Sequence, residues 1–172
     1  ILDWLNSNTP LTTSFKDFSN NIPYLTLDSN TNTNTTTEPL IDIILNNSFN
    51  DILNEVFNQC TRENIPIVAF IQKPNTLFIF NSTSWIELTN DLFITFLISI
   101  QMKISKLLYG WKQSHKEELS SNEKLEELAN KALIKIMTPE FKQERYYAKA
   151  KTLLYNKIKK DIKMLIEYEF EF

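Results

Sequence analysis

The sequence predicts an α+β fold: a small antiparallel β-sheet, made of a hairpin plus one short strand, packed against about four α-helices. Three observations carry that expectation. Two short runs rich in β-branched and aromatic residues, Ile67–Ile71 (IVAFI) and Leu77–Phe80 (LFIF), flank the turn residues Lys73-Pro74-Asn75-Thr76. A long stretch after them repeats apolar residues at helical spacing, through Leu92, Phe93, Phe96, Leu97, Ile100, Ile104, Leu107 and Leu108. The single glycine, Gly110, falls just after the last of these, followed by apolar Trp111. That is where a left-handed residue commonly ends a helix.

The elements follow in chain order. Ile1–Leu5 is expected as a short helix or arm with Trp4 and Leu5 as apolar contacts, broken by Asn6–Pro10. Phe15, Phe18, Ile22, Tyr24, Leu25 and Leu27 lie among polar residues and supply surface for docking. Ser29–Thr37 (SNTNTNTTT) is polar and of low complexity, with nothing to bury. The expected organisation is an N-terminal arm over 1–28, a polar linker over 29–37 and a single α+β domain over 38–172.

Within that domain Thr37 is expected to cap a helix with Pro39 in its first turn. Its period runs through Leu40, Ile43, Ile44, Phe49, Ile52, Leu53, Val56 and Phe57 to Cys60; Asn46-Asn47-Ser48 offers a break, with Ser48 recapping the second part and Asp51 at its third position. The hairpin loop should span four to five residues. Neither strand alternates with polar residues, so both faces should be covered. Asn81–Ser84 turns into Trp85–Leu88, a third short strand with Trp85 in the core. Thr89 or Asn90 caps the long helix, and Asp91 suits its positive end. Ser120 and Glu123 fit a capping box before a helix that buries Leu125, Leu128, Ala129, Ala132, Leu133 and Ile136. Thr138-Pro139-Glu140 reads as a stop and restart, and one last helix is expected to about Tyr168. Its tail, Tyr168–Phe172 (YEFEF), is either a frayed end or a strand added to a sheet edge.

Composition narrows the functional classes. The chain has 172 residues, 42% of them hydrophobic and 23% charged, which suits a globular domain with a real core. With one Cys there is no internal disulfide, and one Cys with one His makes a zinc site an unsuitable reading. Cys60 is expected as a small buried apolar residue and His115 as a solvent-exposed loop residue. The apolar stretch Leu92–Ile100 is interrupted by Thr95 and Ser99, so no membrane segment is expected, and no signal peptide is visible. These features suit an intracellular, reducing compartment. One glycine cannot build a phosphate loop, and no Ser/His/Asp set or paired carboxylate stands out, so neither catalysis nor a cofactor nor a metal is expected.

Charge is unevenly distributed. Residues 1–100 hold 3 basic against 10 acidic residues, a net of −7, and residues 101–172 hold 15 against 11, a net of +4. Eight basic residues stand against two acidic ones between 142 and 163. Lys142, Arg145, Lys149, Lys160 and Lys163 would share roughly one face of a continuous helix. Such a stripe suits phosphate neutralisation on a nucleic acid, with Tyr146, Tyr147 and Tyr155 as stacking candidates. It equally suits the solvated side of an amphipathic helix with those tyrosines packed inward.

The order of features from about Leu40 onward resembles the C-terminal domain of a group of uncharacterised proteins from giant, nucleocytoplasmic large DNA viruses. The resemblance rests on a helix leading into Ile65-Pro66-Ile67, the aromatic strand Leu77–Phe80, Asn81–Ser84 before Trp85, a long helix ending near Trp111-Lys112, and Lys-rich helices after it. The Asn/Ile/Lys-rich composition, an A+T-rich signature, suits such a source. In that group a Cys and charged residues often follow the start of the first strand, where this chain has Val68-Ala69-Phe70. No family site therefore carries over. The resemblance implies a tail domain of a larger protein, located in host cytoplasm or virion. The expected function is a non-enzymatic protein–protein interaction or assembly module, working on a protein partner or by self-association. The alternative is a nucleic-acid-binding domain.

Overall fold

The computed structural model describes residues 1–9, 11–22 and 34–170. Its elements are helices α1 (Leu2–Asn8), α2 (Phe15–Asn20), α3 (Asn34–Asn46) and α4 (Phe49–Phe57), a 3₁₀ turn (Asn58–Thr61), and strands β1 (Ile67–Phe70), β2 (Phe78–Phe80) and β3 (Trp85–Glu87). Then come α5 (Asn90–Ser114), α6 (Lys116–Ser121), α7 (Glu123–Met137), α8 (Glu144–Ile158), the two-residue strand β4 (Lys159–Lys160) and α9 (Ile162–Phe170). The α+β class holds, with more and shorter helices than expected.

The sheet runs β3-β2-β1-β4, and it is mixed rather than purely antiparallel. β1 pairs antiparallel with β2 (Ile67 opposite Ile79) and β2 antiparallel with β3 (Phe80 opposite Trp85), but β4 runs parallel to β1. That strand interrupts what periodicity presents as one last helix. The physical reason is the outer edge of β1, whose backbone groups need partners. Ile71 N donates to Lys160 O at 3.0 Å, and Tyr155 Oη donates to Phe70 O at 3.1 Å. The Gln72 amide donates to Asp161 at 2.5 Å and accepts from Ile162 N at 3.2 Å, which latches the junction.

Two apolar clusters organise the molecule. The larger lies among the helices and the inner face of β1 and β2, with Ile44, Ile52, Phe57, Phe93, Leu97, Ile100, Ile104 and Leu154 essentially inaccessible. The smaller gathers Leu5, Phe70, Phe78, Phe80, Trp85 and Ile162 on the other face. Both faces of the hairpin are thus covered. α1 closes the β3 edge: Trp85 N donates to Asn6 Oδ1 at 2.7 Å, and the Trp85 indole donates to Thr9 O at 3.0 Å. By length and composition α5 could cross a membrane, yet 44% of its apolar window is buried inside this fold.

Several local expectations are met. Ser48 and Asp51 form a reciprocal capping box on α4, Thr89 caps α5 through Leu92 N, and Cys60 is buried. Others are corrected. α5 continues through Gly110 to Ser114, and Gly110 does not have a positive φ. The Trp111–His115 pair makes this possible: the rings stack at 4.8 Å between centroids, and His115 N donates to Trp111 O at 3.0 Å. His115 is therefore a half-buried helix-end residue, not a loop residue. Ser120 lies inside α6, and Asn122 caps α7 instead, accepting from Leu125 N at 3.2 Å.

Thr138 bonds back to Ile134 O at 2.6 Å, and the next helix begins only at Glu144. The hairpin connection runs over 71–77, with Asn75 left-handed at φ 53°, and is longer than expected. α3 begins at Asn34, so the backbone of 34–37 belongs to a helix rather than to the expected linker. The backbone of 168–170 is helical, against a strand in the tail. Tyr24, Leu25, Leu27, linker residues 29–33 and positions 171–172 lie outside the described residues.

Candidate interaction site

Of the five sequence-nominated cations, the fold brings Arg145 and Lys149 together and separates the others. Arg145 and Lys149 occupy the first turns of α8, four residues apart and on one face. Lys142 is exposed in the segment before α8, whereas Lys160 sits on the sheet edge and Lys163 in α9, beyond the β4 break. A single helical face carrying all five does not exist.

Arg145 and Lys149 flank a surface groove of about 760 Å³ between α4, α8 and the 139–141 segment. Its apolar side is built by Phe49, Leu53, Phe141, Tyr146 and Ala150, and its charged lining residues are both cationic. Each wall has a local cause. The Ser48–Asp51 capping box starts α4 directly at Phe49, and the Phe49 and Phe141 rings pack at 5.8 Å. Phe141 is placed by Gln101, a buried amide on α5 that donates to Ile136 O at 2.8 Å and Pro139 O at 3.0 Å. These bonds satisfy one carbonyl in the last turn of α7 and one just beyond it, and fix the course of the chain that follows.

Arg145 is held in orientation. Its Nε donates to Gln143 Oε1 at 3.1 Å, and its guanidinium lies 4.7 Å from the centroid of the Tyr146 ring. Gln143 in turn donates to Glu140 at 2.6 Å. Among the described residues no carboxylate lies in ion-pair range of any cation between 142 and 163; the one ion pair is Lys131–Glu127 at 3.1 Å, highly exposed. The terminal guanidinium nitrogens thus present an oriented fork, the geometry that suits a carboxylate.

The tyrosine candidates divide. Tyr155 is buried with its hydroxyl on Phe70 O, while Tyr146 and Tyr147 are half-buried against the main core. Among the described residues no group of three or more His, Cys, Asp or Glu side chains is placed to hold a metal. Cys60 is pushed up to about 12 by burial, against a smaller opposing pull from Lys157. Sequence reasoning missed Phe49, Leu53 and Phe141 as lining residues, because no local pattern says that α4 packs against α8. No protein-family model, curated protein or solved structure matches the chain.

Proposed function

We propose that this domain is a non-enzymatic protein–protein interaction or assembly module of viral type, the tail domain of a larger protein. It takes a segment of a partner protein, in which apolar or aromatic side chains adjoin carboxylates, into the α4–α8 groove. The observation that carries this reading is Arg145: stacked, oriented through Nε, and without a carboxylate partner among the described residues, at the mouth of an apolar groove. Apolar side chains would fill the space against Phe49, Leu53 and Phe141, while a carboxylate meets the fork. Charge complementarity favours this occupant, since no acidic residue among those described lines the groove.

The nucleic-acid reading draws on a separate observation, the eight basic residues between 142 and 163 that lack ion pairs to described residues. One titration compares them. A labelled peptide with the sequence of residues 168–172, which alternates aromatic and acidic side chains, and a random-sequence single-stranded DNA are each followed by fluorescence anisotropy across a salt series. The peptide is expected to bind, and Arg145→Glu to weaken it at least about tenfold. Peptide binding that is absent, or indifferent to Arg145→Glu, overturns the reading. DNA affinity that falls steeply with salt, and is lost when Lys142, Arg145 and Lys149 are reversed to Glu, favours the alternative. Light scattering on the same sample identifies a second copy as the partner if a discrete oligomer forms and Arg145→Glu dissolves it.

A further inference from the structure

A smaller pocket of about 150 Å³ lies away from the groove, where the end of α8 and β4 meet the chain entering β1. Four of its lining residues are cationic: Arg62, Lys157, Lys159 and Lys160. None of its lining residues is acidic. The cations come from two places nearly a hundred residues apart in sequence. Asn64, left-handed at φ 60°, turns the chain so that Arg62 and Ile65 face one space.

Among the described residues no carboxylate pairs with these charges. Lys157 Nζ rests on the neutral amide oxygen of Asn54 at 2.9 Å. Lys159 Nζ rests on Asn156 at 3.1 Å and lies 5.7 Å from the Tyr155 ring centroid. Arg62 and Lys160 make no side-chain hydrogen bond or ion pair to described residues, and the neighbouring Glu63 is exposed and outside the lining. Lysines on a sheet edge discourage edge-to-edge pairing, which accounts for Lys159 and Lys160. It does not account for Arg62 and Lys157, which belong to no edge. Four like charges around so small a space repel one another, and an anion relieves that repulsion.

Size narrows the anion. The pocket has room for about five waters, and it is well below the roughly 300 Å³ at which drug-sized ligands are enclosed. A tetrahedral oxyanion fits, whereas a whole nucleotide does not. We propose that this pocket binds a phosphate group, either as free phosphate or as the terminal phosphate of a phosphomonoester. Arg62 and Lys160 are its direct ligands, and Lys157 and Lys159 exchange their neutral amide acceptors for phosphate oxygens, giving shorter and stronger charge-assisted bonds.

The test follows backbone amide shifts of Arg62, Asn64 and Lys160 by NMR on the full chain. Inorganic phosphate, glycerol 3-phosphate and an oligonucleotide without terminal phosphates are titrated separately at fixed ionic strength. Inorganic phosphate or glycerol 3-phosphate, or both, is expected to move these amides saturably, and whichever binds more tightly identifies the source. Lys160→Gln, an exposed substitution, and Arg62→Gln with Lys160→Gln are expected to weaken binding, the double variant at least about tenfold. Lys142→Gln leaves it unchanged. No saturable shift with either phosphate probe, or binding that survives the double variant, overturns the proposal. So does a response to the oligonucleotide alone.

Discussion

Lysines on α5 and α7 and cations on α8 carry the same charge in different employment. Lys135 donates to Ile44 O at 2.6 Å and to Asn47 O, closing the C-terminal end of α3. Lys103 does the same for α2, donating to Ser19 O at 2.6 Å. Both are half-buried, and burial lowers the pKa of each, with the like charge of Lys106 adding to the effect at Lys103. Arg145 and Lys149 are exposed, and among the described residues their charges meet no carboxylate. The first pair satisfies helix carbonyls that would otherwise lack partners. The second pair satisfies no helix carbonyl among the described residues, and Arg145 keeps its terminal nitrogens free of described partners while Nε holds Gln143, which makes it the pair available to a partner.

Mutation can break or sharpen that contrast. Lys135→Met, which keeps the apolar stem and removes the donor, is expected to lose about 2–3 kcal/mol in denaturant unfolding, because it strands two carbonyls at once. Lys103→Met, with one bond, should lose about 1–2 kcal/mol. Equal and negligible losses at both positions would erase the distinction. Gly110→Ala should gain about 0.5–1 kcal/mol, since the position is helical and a Cβ there meets open space. Arg145→Glu should stay within about 0.5 kcal/mol of the parent while weakening peptide capture at least about tenfold.

Alkaline titration sharpens the same contrast through opposite signs. The folded state holds the Cys60 proton to about 12, while the unfolded thiol releases it near 9.0. The unfolded state then binds fewer protons, and stability falls as pH rises through that window. Lys135 is lowered from 10.5, so just below that value the folded state loses its proton first and stability rises with pH. In Cys60→Ala the fall should be shallower in a pH series of unfolding midpoints. Adding Lys103→Met and Lys135→Met removes the opposing rise and should steepen it again.

Much of the fold was legible locally. Thr89, Ser48 with Asp51, and the aromatic strand Leu77–Phe80 announce themselves because their signals lie within a few residues. What stayed hidden depends on distant partners. Gly110 carries a helix-end signal, but the Trp111–His115 stack carries the helix one turn further. Lys157–Lys163 keeps a helical period, yet the backbone of β1 draws two of its residues into a strand. Arg145 and Lys149 were nominated by charge, while the apolar half of their groove depends on α4 lying against α8, which no spacing encodes.

The two-residue strand β4 also sets an order of events during synthesis. Its latch joins Gln72 to Asp161, 89 positions apart. At about 5–20 residues per second, the outer edge of β1 therefore waits roughly 4–18 s on the ribosome for its partner. The β3 edge waits for nothing, because α1 is made first. The nascent chain thus carries one open strand edge until Lys159 and Lys160 emerge, and that interval is when a chaperone or a neighbouring chain on the same message pairs with it most readily.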